Sequence, residues 1–363
     1  MNICFTPHKS MRNQYINLFT SSLENKKIKI YGLKEVLTDF KKFKTTKIFH
    51  FNWFLKVNSK NKIINILEYL FKFILLFILK TTGKKVVYTL HNKLPHDAKK
   101  NIIVKKLNRF LLKCSDRIVV HCYDDSLKVL REELSEKEIQ KKVRYIEHGN
   151  YIDAYPEKQT QELRERLKIK DDEKVFLFLG SVEPYKNTHL LIKAFNELNF
   201  ENVKLVIAGN PKSDEYRARI KDLSKNSNIY LELRFIEDEE LSMFLNVSDL
   251  VILPYSNESS LNSGSVFLAF SYKKTVISSN IGTLNDIRRD FYYSYNYGNE
   301  KEHIEKLKSN MSLVKKELES DSKVLLKKGL TAYEYVSKNN NWEDISQKMF
   351  KIYNEFGVND ENK

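Results

Sequence analysis

An α/β architecture of two Rossmann-like βαβ domains is predicted from three observations. Short apolar runs alternate with amphipathic helical stretches along the chain, the pattern of parallel-sheet units. The length, 363 residues, exceeds what one compact core organises and suits two domains. The charge is segregated as well: residues 1–150 hold 31 Lys+Arg against 13 Asp+Glu, a net of +18, and the remainder nets −3.

Composition sets the outer bounds. Hydrophobic residues at 42% and charged residues at 30% describe a globular chain rather than a disordered one. Phe and Tyr are abundant while Gly and Pro are scarce, so long flexible linkers are not expected. Cys4, Cys114 and Cys122 form no disulfide framework and lack metal spacing; free thiols in a reducing cytoplasm are expected. No signal peptide and no internal repeat is read from the pattern.

In the N-terminal half, Asn2–Thr6 predicts a strand and Asn13–Leu23 a helix. Strands follow at Lys47–Trp53, Lys85–His91, Arg117–His121 and Val143–Glu147. Between two of them lies Asn61–Lys80, whose apolar core is broken by Glu68 and Lys72, too short and too charged for a membrane span. As a helix it puts Asn61, Asn65, Glu68 and Lys72 on one stripe and leaves nearly everything else apolar. Two readings compete: a buried crossover helix, or one whose apolar edge also dips into a bilayer surface. The flanking Lys56, Lys60, Lys62, Lys80, Lys84 and Lys85 suit anionic lipid. A peripheral membrane protein without a span is the expectation.

The stretch Ile146–Pro156 reads as a hinge, giving domains of 1–155 and 156–341, with a C-terminal helix near 342–358 returning to the first. In the second half, VFLFLGSVEPYKNTHLLIKAF reads as a strand, a glycine turn ending in lysine, and a helix starting near Asn187. Strands VKLVIAG and NIYLELRFI follow, then a helix at EELSMFLNVSD, a strand LVILPY, the turn NESSLNSGS, a helix VFLAFSY and a strand TVISS.

Ligands of such sheets sit at the strands' carboxyl ends, where two anion-binding devices lie. One is the turn from Gly180 through Ser181 to Lys186. The other is Asn262-Ser263-Gly264-Ser265 at a helix head, where free N–H groups and the helix dipole favour negative charge. Two helix starts and a lysine around one crevice suit a diphosphate.

The runs GSVEPYKNTHLLIKAF and SDLVILPYSNESSLNSGSVFLAFSYKKTVISSNIGTL, with their separation, resemble the nucleotide-binding domain of GT-B glycosyltransferases. Within that fold they are similar to the large nucleotide-sugar-dependent family (glycosyltransferase family 4-like, in a divergent branch) that builds bacterial capsules, exopolysaccharides and lipopolysaccharides. The resemblance implies two Rossmann-like domains facing a central cleft. It also implies a hexosyltransferase that moves a sugar from a nucleotide diphosphate sugar to a lipid-linked or growing glycan, with no cofactor and no metal. Gly180, Ser181, Lys186, Asn262, Ser263, Gly264 and Ser265 would then hold the donor, and His91, in YTLHNKLPHD, would reach the donor sugar or reacting centre with Lys186. His8 is a weaker acceptor-side candidate, and His96 and Asp97 belong to the acceptor side or cap the following helix; His50 and Trp53 end a strand, where core packing is the expectation and a sugar stacked on Trp53 the alternative.

This chain departs from the family pattern at three positions. Ser181 stands where an arginine is common, and Ser260 and Leu268 where two glutamates are common. The second glutamate holds the nucleotide ribose in the family, so Glu258 or Asn257 is the expected substitute. The usual inference of a retained anomeric configuration is therefore not drawn. Expected partners are a nucleotide sugar, a glycan or glycolipid acceptor and the anionic inner face of the cell membrane.

The basic half alone also suits a nucleic-acid-binding protein, but there is no Walker loop, zinc spacing or RNA-binding signature. A nicotinamide oxidoreductase is disfavoured because no GxGxxG follows the first strand or the Val175 strand.

Overall fold

The computed structural model describes the chain apart from residues 11–12, 58–60, 94–100, 258–259, 288 and 358–363. It divides into two compact units, Met1–Gly149 with Asn341–Lys363, and Asn150–Asn340.

In the first unit β1 (Asn2–Thr6) is followed by α1 (Gln14–Glu24), β2 (Lys29–Tyr31), α2 (Leu33–Thr38), α3 (Phe40–Thr45) and β3 (Ile48–Asn52). Then come α4 (Lys62–Thr81), β4 (Lys85–Leu90), α5 (Ile102–Cys114), β5 (Arg117–Val120), α6 (Asp124–Leu130), α7 (Glu136–Lys142) and β6 (Val143–Tyr145). The strands pair in parallel in the order β2-β1-β3-β4-β5-β6. Such sheets are covered on both faces, which is why every residue of β3 (IFHFN) is buried. Asparagines start three of the helices: Asn13, Asn61 and Asn101 each accept a hydrogen bond from an amide of the first turn.

The second unit runs α8 (Gln161–Arg166), β7 (Lys174–Leu179), a 3₁₀ turn (Pro184–Lys186), α9 (Thr188–Asn196), β8 (Val203–Ala208), α10 (Asp214–Leu223) and β9 (Ile229–Glu232). It continues with α11 (Asp238–Val247), β10 (Leu250–Leu253), α12 (Gly264–Ser271), β11 (Thr275–Ser279), α13 (Gly282–Ile287), β12 (Tyr293–Tyr295), α14 (Glu300–Ser320) and α15 (Val324–Asn339). Its parallel sheet has the order β9-β8-β7-β10-β11-β12. The order reverses between β7 and β10, so the loops leaving those two strands open side by side.

The final helix, α16 (Trp342–Asn354), packs on the first unit. Its Tyr353 hydroxyl lies 2.6 Å from His50 Nδ1, and Glu355 just beyond it takes Arg117 and Arg144. The Trp342 indole occupies the space a Cβ on Gly149 would need, 2.1 Å from the ring, so glycine is required there.

Two short edge strands, β2 and β12, were not expected from the sequence. His50 sits inside β3 instead of at its end, bonded to Tyr353 and to Thr89 Oγ1, which makes it a core histidine. The larger difference concerns α4. α4 is the crossover between β3 and β4 and buries Leu75, Leu76 and Leu79, but Lys72 on the polar stripe is only 8% exposed while most apolar side chains of the helix face solvent. Lys72 Nζ pairs with Glu68 at 2.7 Å and donates to the Lys56 carbonyl at 2.9 Å; those two bonds hold the polar stripe inward. Among the described residues no helix is long and apolar enough to cross a membrane.

Gly209, with φ +147°, allows the ends of β7 and β8 to touch: a Cβ there would stand 1.8 Å from the Gly180 carbonyl oxygen. Gly209→Ala is therefore expected to cost about 3 kcal/mol or more, from backbone strain plus overpacking. The melting transition of the second unit should fall by several degrees in calorimetry; an unchanged transition would refute the close approach.

Candidate active site

The second unit's site is built where its strand order reverses. β7 ends at Leu179, and Gly180, at φ +134°, turns the chain away from the sheet. The 3₁₀ turn carries Lys186, and Asn187 then adopts a left-handed conformation (φ 52°) before α9 begins. This geometry folds the lysine back: its Nζ lies 3.3 Å from where a Cβ on Gly180 would be. The same ammonium sits over the Tyr255 ring, 5.2 Å from the centroid, a cation–π arrangement. Tyr255 follows β10, and its hydroxyl donates to Ser265 Oγ at 3.1 Å. One chain of contacts thus joins the lysine turn to the head of α12. Among the described residues no carboxylate pairs with Lys186.

At the α12 head, Ser263 is the N-cap but its hydroxyl makes no cap bond. That oxygen is buried and has no hydrogen-bond partner among the described residues. An unsatisfied buried hydroxyl is costly unless something fills the place. The Ser263 N–H, expected among the anion donors, instead donates to Thr283 Oγ1 at 3.2 Å, so Gly264 and Ser265 are left to supply first-turn amides.

Tyr255 itself is fixed through its backbone. Its carbonyl accepts from Ser279 Oγ at 2.5 Å, and the neighbouring Ser256 N–H donates to the Tyr185 carbonyl at 2.9 Å. Asn257 is held by Tyr297, whose carbonyl accepts from its side chain. Ser181, on the arginine position, is exposed and donates to Glu183, which also takes Lys212. Ser260 is buried and Leu268 lies on α12, so neither offers the carboxylate that the family places there. Glu258 lies outside the described residues. The sequence reading missed Tyr255; its only signal was an aromatic beside proline at a strand end.

The first unit gathers polar rings at its own strand ends. His91 follows β4, His121 follows β5 and His148 lies just past β6, all buried. Trp53 follows β3, half-buried at a left-handed φ of +48°, and its ring stacks on His91 at 4.0 Å and 13°. Such a conformation is strained for a bulky residue and marks a place where packing dictates the backbone. His91 Nε2 lies 2.8 Å from Asn52 Oδ1, so that nitrogen carries the proton. His121 Nδ1 donates to the Ile146 carbonyl, which leaves Nε2 to accept from the Tyr15 hydroxyl at 2.8 Å. His148 Nδ1 donates to the Gly149 carbonyl.

These rings are neutral. Burial pushes His148 and the core His50 down to about 3 and His121 to about 4, and neighbouring histidines add to the depression at His50 and His148. His91 is lowered well below its ordinary value by the same two causes. His91 can hydrogen-bond a hydroxyl but carries no charge to offer a phosphate. His8, beyond β1, lies 3.4 Å from Glu35. His96 and Asp97 lie outside the described residues. Cys4, Cys114 and Cys122 are buried and form no disulfide. Among the described residues no group of three or more His, Cys, Asp or Glu is arranged to hold a metal ion.

Residues 159–322 match the family model described as glycosyl transferases group 1. The whole-chain fold is similar to that of Anabaena HepE solved with UDP-glucose, at TM-score 0.71 and 13% identity over 98% of this chain and 100% of that one. The chain has the GT-B fold and a group 1 glycosyltransferase signature. Two curated relatives share 26% identity. They are a GDP-mannose:glycolipid 4-beta-D-mannosyltransferase of Xanthomonas campestris pv. campestris (56% of this chain, 53% of that one) and a lipopolysaccharide 1,2-N-acetylglucosaminetransferase of Salmonella typhimurium (42% of each). The chain thus spans about half the length of the curated relatives it matches. In this GT-B chain the family match falls on the unit that carries Lys186 and the α12 head.

The histidine cluster predicts a pH dependence. Unfolded, each ring takes up its proton near pH 6.5; folded, His50, His121 and His148 do so only near 3 to 4, and His91 well below its ordinary value. The unfolded chain therefore binds more protons across that window, and stability falls as pH drops below about 6.5, by up to about 1.4 kcal/mol per pH unit for each ring. Thermal melts from pH 7 to 4.5 should show it, with a shallower fall in His50→Gln. Equal slopes would count against a neutral, buried His50.

Proposed function

We propose that the protein transfers a sugar from a nucleoside diphosphate sugar, bound by the second unit, to a lipid-linked or growing glycan acceptor. The observation that carries this reading is Lys186. It is half-buried, cradled by Gly180 and the Tyr255 ring, and unpaired with any described carboxylate, beside a helix start with an unsatisfied hydroxyl. That arrangement suits an anion with more than one oxygen to satisfy.

In the proposed mechanism the C1–O bond to the leaving diphosphate breaks as negative charge grows on that oxygen. Lys186 and the amides of Gly264 and Ser265 are fixed beforehand and gain most when that charge appears. The protein's own cation serves where a divalent metal would otherwise be needed. His91, as a neutral ring with Nε2–H turned to Asn52, orients a sugar hydroxyl and does not neutralise phosphate. Asn257, held by Tyr297, stands in for the missing ribose-binding glutamate.

Support for the acceptor class comes from the relatives, one described as acting on a glycolipid and one on lipopolysaccharide. Support for a nucleoside diphosphate comes from HepE, solved with UDP-glucose. A place at the inner face of the cell membrane belongs to the same reading. The basic first half also keeps a nucleic-acid-binding reading testable: salt-sensitive DNA binding without nucleotide binding would favour it.

A thermal-shift series with UDP, GDP and dTDP tests the proposal. At least one should raise the melting temperature of the parent protein, in buffer with EDTA as well as without. Lys186→Ala should weaken that diphosphate by about 2 kcal/mol, roughly 30-fold, leaving the ligand-free melting temperature unchanged. Parent-like affinity in Lys186→Ala would refute the site, and loss of binding in EDTA would refute metal independence.

A further inference from the structure

We infer that Tyr297 is a positioning residue for donor binding: it sets Asn257, on the loop after β10, to accept from the ribose hydroxyls of the nucleotide. This role rests on the donor reading above and adds to it a residue from outside the lysine turn and the α12 head.

Asn257 is gripped at two points by one residue. Its N–H donates to the Tyr297 hydroxyl at 3.3 Å, and its side-chain Nδ2 donates to the Tyr297 carbonyl, also at 3.3 Å. The second bond decides how the amide is turned. A carbonyl oxygen takes only a donor, so Nδ2 faces Tyr297 and Oδ1 lies on the other edge of the amide, an acceptor of the kind a ribose hydroxyl needs. A glutamate brings similar lone pairs on a longer stem; an asparagine must instead be placed by its backbone and its neighbours.

Tyr297 is itself fixed from behind. Its ring stacks on His303 at 4.0 Å and 21°, and His303, fully buried in α14, has Nε2 3.0 Å from the Tyr295 hydroxyl. Tyr295 ends β12 and pairs with Ser279 of β11. α14 packs on α9, the helix that follows Lys186, with Lys193 3.6 Å from Glu300 and Lys308 2.7 Å from Glu197. The lysine turn and the Asn257 loop are thereby referred to one common helix.

The Tyr297 hydroxyl has a second neighbour, the Tyr255 carbonyl at 3.5 Å. That carbonyl already accepts from Ser279 Oγ at 2.5 Å, and 3.5 Å is the limit of a hydrogen bond. Loss of the Tyr297 hydroxyl therefore falls on Asn257 and spares the aromatic face beneath Lys186.

Calorimetric titration of the full chain, with whichever of UDP, GDP and dTDP stabilises the parent, tests this role. Tyr297→Phe, which keeps the stacked ring, should weaken that diphosphate about fivefold, and Asn257→Ala about tenfold. The double variant should match Asn257→Ala alone, since a residue acting through another adds nothing once that other is gone. With the 2′,3′-dideoxy form of the same diphosphate, all three variants should bind like the parent. Parent-like affinity in Tyr297→Phe or in Asn257→Ala, additive losses in the double variant, or an equal loss with the dideoxy form overturns it. Those outcomes leave the Lys186 site standing, because the parent still binds the diphosphate; a parent that binds none of the three overturns both.

Discussion

The constraint on which the second unit depends is the reversal of strand order between β7 and β10. Parallel strands release their chains at one edge of the sheet, and successive helices ordinarily fill the space above it. Where the order reverses, the helices leave in opposite directions and the loops after β7 and β10 stand beside an open notch. Everything polar in the candidate donor site is a consequence of that placement. Gly180 is needed because the chain turns sharply with φ +134°, and Gly209 is needed because the adjacent strand end touches it. The lysine then has one direction left, back across the Tyr255 ring.

The two units handle charge in opposite ways. Around the α12 head lie a cation on an aromatic face, first-turn amides, and a buried hydroxyl without a partner among the described residues. At the strand ends of the first unit the polar rings are bonded to Asn52, to the Tyr15 hydroxyl and to backbone carbonyls, and burial keeps them uncharged. A neutral imidazole can hydrogen-bond a hydroxyl and offers no charge to a phosphate. The division of labour follows from the surroundings: Lys186 is half-buried with an aromatic face to rest on, whereas His91 is enclosed by Trp53, Tyr15 and His121.

What the sequence disclosed follows the range of the forces involved. Strands with continuous apolar runs were legible to the residue, as Asn2–Thr6 and Thr275–Ser279 illustrate, because burial on both faces leaves a local signature. The glycine–lysine turn and the α12 head were legible as well, since turn chemistry is local. The three-residue edge strands β2 and β12 were not, being too short to show a period. Nor was the clustering of His121 and His148 with Tyr15, which joins residues more than a hundred positions apart. The role of Tyr255 depends on a lysine and a serine from other segments, and no window around it contains that information.

The orientation of α4 was illegible for a different reason. Its sequence describes a helix with one polar stripe and a broad apolar remainder, and a folding rule based on burial alone would turn the polar stripe to water. Burying Lys72 against a half-exposed Glu68 is no route to stability, because such a pair gives little beyond what apolar residues of the same volume would. Leaving the apolar side chains in water forgoes roughly 1.5–3 kcal/mol for each one that could have been covered. Local departures of that kind, made at the expense of stability and held by designated bonds, are expected at surfaces kept for a partner. The glycine turn at Gly180 obeys local chemistry, whereas the orientation of α4 defies it.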